Sequence, residues 1–115
     1  MDVEAVRLYC ISLPKATEDL PFGPETLALR VGGKIFALLP LDKVGTINLK
    51  CDPERSIELR EQYDQIQPGY HMNKKWWNTV NYEALPSKMV EELICHSYGL
   101  IVGSLSKKQR EQFGI

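Results

Sequence analysis

The chain has 115 residues, of which 43% are hydrophobic and 25% are charged, and its formal net charge is −1 at pH 7. These proportions are typical of a soluble globular domain and exclude disordered, collagen-like and coiled-coil chains. Because 14 basic residues are balanced by 15 acidic ones, any nucleic-acid surface must come from local clusters of cations rather than from net charge. We predict a single domain over residues 1–115.

Cysteine spacing, hydropathy and the charge at the start of the chain indicate the cellular compartment of the protein. Cys10, Cys51 and Cys95 are far apart and form no Cys-x-x-Cys pair, which favours reduced thiols over a disulfide framework. No apolar run approaches the ~20 residues that a membrane span needs. The acidic start of the chain lacks the positive charge of a secretory signal. We therefore expect a cytoplasmic protein with no membrane partner.

The first predicted elements are a helix and a rigid loop. Apolar residues at helical spacing predict a helix over about 2–12, with Asp2 as its N-cap and Pro14 just beyond its end. The loop over 19–24 contains two prolines and a glycine, which exclude a helix or a central strand there.

Three strands follow this loop. Alternating apolar and polar residues predict strands over 26–31, 34–39 and 46–51. The pair Gly32-Gly33 predicts a hairpin turn between the first two strands. Strict alternation along the second strand puts Phe36 and Leu38 on one face, which we expect to be the open face of a half-buried sheet.

A second helix and an aromatic segment come next. Asp52-Pro53 supplies an N-cap and a first-turn proline for a helix over about 52–63. The segment over 70–82 alternates aromatic and β-branched residues, which predicts a short strand, a turn near Asn73-Lys74 and another strand.

A third helix begins at Pro86 and carries the last stripe of core residues. Apolar side chains recur at helical spacing over 89–101, and the tail over 104–115 either adds a last turn of helix or frays. Neighbouring residues on a helix point about 100° apart. We therefore expect Cys95 in the core and His96 near the surface.

These elements define the expected fold class. Their order is α-β-β-β-α-β-β-α, which predicts an α+β two-layer sandwich. We expect an antiparallel five-stranded sheet with the helices gathered on one face and the other face partly open.

Catalytic and metal-binding motifs are missing from the sequence. The glycine pair within 31–34 joins two strands, so it lacks the helix N-terminus that holds a phosphate. His71 and His96 are the only histidines, and nothing pairs them with metal ligands or a nucleophile at matched spacing. We therefore predict a non-enzymatic protein with no catalytic residue, no metal and no cofactor.

The segment over 69–79 is the strongest candidate site. It holds two Trp, one Tyr, one His, two Lys and two Asn, a mixture that suits contact with phosphates and bases. The predicted nucleic-acid contacts are His71, Asn73, Lys74, Lys75, Trp76 and Asn78, widened by Arg30, Lys34 and Lys50. A structural role stays open, in which the tryptophans pack in the core and the lysines only solubilise a hairpin tip.

Four separated motifs follow one another along the chain: PFGPET with VGGKIFA over 21–37, LKCDPE over 49–54, GYHMNKKWWNTV over 69–80, and the last helix over 85–98. They resemble the motifs of the bacterial MmcQ/YjbR-like family, and the segment over 69–80 resembles its hallmark. The resemblance covers nearly the whole chain in the expected order.

The resemblance implies a fold related to the CyaY/frataxin-like group and described as double-wing, with DNA binding through its hairpins. By this resemblance, the candidate residues over 71–78 are expected on or beside one of these wings. The family motif usually has a single Trp preceded by a basic or imidazole residue. Trp76 takes that preceding position here, which favours stacking or packing over a phosphate contact.

The sequence is consistent with three hypotheses about function. The leading one is weak, salt-sensitive DNA binding, in which Lys74 and Lys75 meet phosphates. A second is a protein-interaction or chaperone-like module that binds a protein partner on the open sheet face, including Phe36 and Leu38. A third is a small-molecule pocket between the segments over 21–23 and 70–78, which requires the two to meet around a cavity.

Overall fold

The structure, a computed structural model, describes residues 1–69 and 72–115. Within these ranges no helix has the length and apolar character needed to cross a membrane. The elements are α1 Val3–Ser12, β1 Thr17–Asp19, β2 Thr26–Val31, β3 Lys34–Pro40, β4 Thr46–Lys50, α2 Pro53–Gln62, β5 Ile66–Pro68, β6 Trp77–Asn81, α3 Ser87–Ser104 and α4 Lys107–Phe113.

The first two helices begin at the aspartates that the sequence predicts as caps. The Asp2 carboxylate accepts a hydrogen bond from the backbone N–H of Ala5 at 2.8 Å. Asp52 accepts from the backbone N–H groups of Glu54 and Arg55. Each cap satisfies donors that have no partner inside the helix, which is why both helix starts are predictable.

The sheet is antiparallel and has six strands in the order β1-β2-β3-β4-β6-β5 among the described residues. The α+β class and the antiparallel sheet are confirmed, but the predicted count of five strands is wrong. The additional strand is β1, whose sequence Thr-Glu-Asp has no apolar alternation. Its pairing with β2, from Thr17 opposite Arg30 to Asp19 opposite Ala28, makes it a strand.

The hairpin predicted over 70–82 is displaced along the chain. Its first strand is β5, which precedes Tyr70 and pairs with β6 at the edge of the sheet. Pro68 ends this strand, a position that tolerates the missing N–H of proline. Tyr70 and His71 themselves lie outside the described residues.

The tail predicted as a last turn or a frayed end forms a complete short helix, α4. The side chain of Ser106 accepts from the backbone N–H of Gln109, and the Gln109 side chain accepts from the Ser106 N–H. This capping box satisfies two backbone donors at once. The helix ends at Gly114 in the left-handed conformation, with φ of 72°.

The core lies between one face of the sheet and the helices. Along β4, Ile47 and Leu49 are buried whereas the alternate residues are only half-buried. α3 packs across β3 and β4 and also contacts α1, while α2 packs on β5. The apolar stripe predicted for α3 is confirmed, since Val90, Leu93, Ile94 and Ile101 are buried.

A β-bulge reverses the predicted orientation of Phe36. Leu29 pairs with Ala37 but Arg30 pairs with Ile35, so Phe36 is an extra residue on β3. Its side chain is fully buried, and its ring packs edge-on against Tyr98 of α3 at 5.5 Å between centroids. The expectation that Phe36 lies on the open face is therefore wrong, because one inserted residue breaks the period-2 alternation.

The predicted position of Cys95 in the core is also wrong. Cys95 is exposed at the flank of α3, with its Sγ 3.0 Å from the Tyr9 hydroxyl. His96 is half-buried, and its Nε2 accepts a hydrogen bond from the backbone N–H of Asp52 at 3.2 Å. This hydrogen bond joins the N-terminus of α2 to α3. It is a long-range contact, which helical periodicity cannot predict.

Candidate functional site

The candidate lysines lie on a turn that is fixed by its own hydrogen bonds. Asn73 Oδ1 accepts from the backbone N–H of Lys75 at 3.0 Å, an Asx turn. The Asn73 carbonyl accepts from the N–H groups of both Trp76 and Trp77 at 3.0 and 2.9 Å. Lys74 and Lys75 are exposed at the outside of this turn, so the turn presents two cations on a defined backbone.

Arg60 of α2 anchors the same turn to the rest of the domain. Its Nη2 donates to the carbonyls of Lys74 and Trp77 at 2.5 and 3.2 Å, and its Nε donates to Asn78 Oδ1 at 2.8 Å. Arg60 is not among the contacts predicted from the sequence, because an arginine within a polar helix is usually a solvated residue. Only the packing of α2 beside β6 brings it to these acceptors.

Asn78 is a core residue and cannot contact a base directly. It is only 2% exposed, and its Nδ2 donates to Ser56 Oγ at 3.2 Å while its Oδ1 accepts from Arg60. Buried amides are satisfied in this way because an unpaired one is costly. The prediction that Asn78 faces sugar or base is therefore wrong, and its role is structural.

Trp76 and Lys50 form a cation–aromatic pair beside the turn. The Lys50 ammonium lies 5.2 Å from the centroid of the Trp76 ring, within the range of a cation–π interaction. The Trp76 carbonyl accepts from the Cys51 N–H at 2.7 Å, which fixes the backbone of the tryptophan beside the end of β4. Both side chains line a shallow cavity of about 400 Å³ against Gly99, Leu100, Gly103 and Ser104 of α3.

The two remaining predicted cations, Arg30 and Lys34, differ in whether their charge is paired within the protein. Arg30 donates to Asp19 Oδ1 at 2.9 Å and to the Gly33 carbonyl at 3.1 Å, so its charge is already paired. Lys34 is exposed at the start of β3, at the end of the sheet where β4 ends with Lys50. The Lys50 ammonium thus lies over the Trp76 ring, and Lys74 and Lys75 lie on the turn that immediately precedes Trp76.

A second cavity lies on the open face of the sheet. It has a volume of about 410 Å³ and is lined by Phe22, Thr26, Leu38, Pro40, Asn48 and Met72. Phe22 belongs to the proline-rich loop and Met72 to the aromatic segment, so the two sequence motifs meet here. We call this the open-face cavity.

Buried thiols do not offer a reactive group. Burial raises the pKa of the Cys10 thiol to about 12 and also raises the pKa of Cys51 above its ordinary value. Both thiols are therefore protonated near neutral pH and are weak nucleophiles. Over 1–69 and 72–115, no group of three or more His, Cys, Asp or Glu side chains is placed to hold a metal ion.

The fold and these two surfaces define a small α+β domain with an open antiparallel sheet, a basic aromatic turn and an apolar cavity. The YjbR family model matches residues 11–100. The chain belongs to this family, which confirms the resemblance seen in its motifs.

Relatives of known sequence cover almost the whole chain. "Uncharacterized protein YbdF" of Escherichia coli O157:H7 is 39% identical over 111 residues, which are 95% of this chain and 91% of that protein. "Uncharacterized protein YjbR" of Escherichia coli K12 is 26% identical over 113 residues, covering 96% of each chain.

Two solved structures share the fold. Deinococcus radiodurans protein DR2400, of family-model domain DUF419, superposes with a TM-score of 0.89 at 36% identity, covering 98% of this chain and 88% of that one. A Pseudomonas syringae protein, structural genomics target PsR293, superposes with a TM-score of 0.76 at 30% identity, covering 88% of this chain and 99% of that one.

Proposed function

We propose that this protein is a non-enzymatic, cytoplasmic DNA-binding protein that contacts the phosphate backbone through the turn around Trp76. The observation that carries the proposal is the cation–aromatic pair of Lys50 and Trp76 next to an exposed two-lysine turn, Lys74-Lys75, whose backbone Arg60 holds. Cations beside a flat ring suit a nucleic acid, because lysine neutralises phosphates and the ring stacks on a base.

The rigidity of the turn supports the proposed DNA binding. Asn73 closes the turn through its side chain and its carbonyl, and Arg60 ties it to α2. A preformed turn loses little conformational freedom on binding, which leaves more of the interaction energy for affinity. Asn73 and Arg60 are positioning residues in this mechanism, whereas Lys74 and Lys75 make the contact.

The expected affinity is modest because the proposed contact surface contains few cations. Lys50, Lys74, Lys75 and the more distant Lys34 are four positive charges in a chain whose net charge is −1. Two to four neutralised phosphates give a salt slope of roughly −1.8 to −3.6 on duplex DNA, which is about 10- to 150-fold weaker binding between ~50 and ~200 mM salt. We expect micromolar or weaker dissociation constants.

The test is fluorescence anisotropy of labelled duplex and single-stranded DNA at these two salt concentrations. Lys74→Ala/Lys75→Ala should abolish binding or reduce the salt slope by roughly 1.8. A matched control is Lys43→Ala/Lys88→Ala, which removes two exposed lysines at the opposite end of the sheet. Equal affinity of the two double variants, or no binding by the wild type at the lower salt concentration, contradicts the proposal.

A further inference from the structure

We infer that the open-face cavity binds a small, neutral, largely apolar molecule that carries a carbonyl or equivalent hydrogen-bond acceptor on one edge. This site is separate from the Lys50–Trp76 surface and does not depend on DNA binding. Its volume of about 410 Å³ lies within the range of about 300–1,000 Å³ that small-molecule sites occupy.

The apolar part of the ligand is indicated by the walls of the cavity. Leu38 and Pro40 of β3 belong to the open face of the sheet, and Phe22 and Met72 approach from two loops. Phe22 is 66% exposed, so most of its ring is in water when the cavity is empty. A ligand that covers this ring removes apolar surface from water, which favours binding. Methionine adapts its shape to different occupants.

The acceptor on the ligand is indicated by Asn48. Its Oδ1 accepts a hydrogen bond from the Thr79 hydroxyl at 2.7 Å, which orients the carboxamide across β4 and β6. The Asn48 Nδ2 has no hydrogen-bond partner among residues 1–69 and 72–115. An amide N–H₂ in a half-buried site is satisfied by a ligand carbonyl. The hydroxyl of Thr26, also in the lining, can either donate or accept.

The neutrality of the ligand follows from the absence of charge in the walls. None of the described residues that line the cavity is charged. A carboxylate or ammonium group placed there loses hydration and gains no counter-ion, which is strongly unfavourable. A neutral molecule avoids this cost.

The loop that carries Phe22 is constrained before any ligand arrives. Pro21 and Pro24 fix backbone angles on both sides of it, and Gly23 has φ of 104°. The N–H of Leu41 donates to the Glu25 carbonyl at 2.7 Å and ties the end of the loop to the end of β3. Little ordering is therefore needed when a ligand packs on Phe22.

The test is a two-dimensional amide NMR titration of the full chain with three probes of similar shape. Acetophenone has the carbonyl, ethylbenzene lacks it, and benzoate carries a negative charge. We expect saturable shifts from acetophenone at Leu38, Met72 and the side-chain amide of Asn48. Loss of one hydrogen bond should weaken ethylbenzene by about 2- to 12-fold, and benzoate should bind more weakly than acetophenone.

A pair of exposed-residue variants localises the binding without risk to the fold. Phe22→Ala should weaken acetophenone by about fivefold or more. Leu8→Ala is the matched control, because Leu8 is 55% exposed on α1 and should leave the titration unchanged. The proposal is overturned if the shifts scatter over the surface, if both variants bind equally, or if benzoate binds as well as acetophenone. It is also overturned if no probe gives saturable shifts at the cavity.

Discussion

Arg60 connects the candidate DNA-binding turn to the buried side chain of Asn78. It donates to two backbone carbonyls of the turn and to the buried amide of Asn78. Hydrogen bonds from a charged donor are roughly twice as strong as neutral ones. One arginine therefore supports both the position of Lys74 and Lys75 and the stability of the domain.

We expect Arg60→Ala to lower the free energy of unfolding by about 2–3 kcal/mol, because it leaves the buried Asn78 oxygen without its donor. Urea unfolding followed by tryptophan fluorescence measures this loss. Hydrogen exchange at Trp76 and Trp77 should become faster as the turn loosens.

The control for this prediction is Arg55→Ala on the same helix. Arg55 pairs with Glu92, whose side chain is 64% exposed, and an ion pair of this kind contributes only about 0–1 kcal/mol. If the two variants lose the same stability, Arg60 is an ordinary surface arginine and the turn is held by other contacts.

At the scale of elements, α3 carries two glycines that its packing does not require. A Cβ built at Gly99 or Gly103 meets no atom within 4 Å. Glycine within a helix is less stable than alanine by about 1 kcal/mol, since its backbone loses more freedom on folding. These glycines leave the space beside Trp76 open, and they do so at the expense of helix stability.

Gly99→Ala should therefore stabilise the domain by about 1 kcal/mol, which for a chain of this size raises Tm by roughly 3–5 °C. Thermal unfolding followed by circular dichroism measures the change. Gly45→Ala serves as the contrast, because Gly45 has φ of 122°. That substitution should lose about 1–3 kcal/mol from backbone strain. A loss of stability in Gly99→Ala would mean that the space beside Gly99 is occupied in the folded protein.

At the scale of the whole molecule, His96 links the stability of the fold to pH. Its Nε2 accepts from the Asp52 N–H, which requires the neutral ring. Burial is the main cause that lowers its pKa below 6.5, and Arg55 lowers it further, whereas Asp52 and Glu92 oppose the shift. The unfolded chain therefore binds the proton more readily than the folded chain does.

The contribution of His96 is fully present above its unfolded pKa of about 6.5 and is lost as the pH falls through the lower folded pKa. We expect the urea midpoint of the wild type to fall between about pH 7.5 and about pH 5.5. His96→Gln should show a smaller fall, because a glutamine oxygen still accepts from the Asp52 N–H and does not titrate. Equal falls in the two proteins would exclude His96 as the source.

Much of the fold could be predicted because its signals are local. The helix predicted over 2–12 is observed over Val3–Ser12, and the one over 52–63 is observed over Pro53–Gln62. Aspartate caps and a first-turn proline act within one helical turn, so they are visible in the sequence. The strand β1 could not be predicted, because only pairing with β2 makes it a strand.

The candidate site was predictable only in part for the same reason. The exposure of Lys74 and Lys75 follows from residue type, as lysine is rarely buried. The burial of Asn78 depends on its hydrogen bonds to Ser56 and Arg60, which are distant in sequence. The charge of Arg30 is paired by Asp19, which is also distant in sequence. The small-molecule hypothesis requires the segments over 21–23 and 70–78 to meet around a cavity. Phe22 and Met72 both line the open-face cavity, so this requirement is met.

The sequence by itself determined the family, the α+β class, the boundaries of α1 and α2, and the segment that carries the basic and aromatic residues. Periodicity, caps and turn residues act over a few positions, so no tertiary information is needed to interpret them. Three features follow only from the tertiary structure. The bulge buries Phe36, Arg60 donates hydrogen bonds to the turn, and residues of two loops line the open-face cavity. These outcomes depend on contacts between residues far apart in the chain, and only the folded sheet brings such residues together.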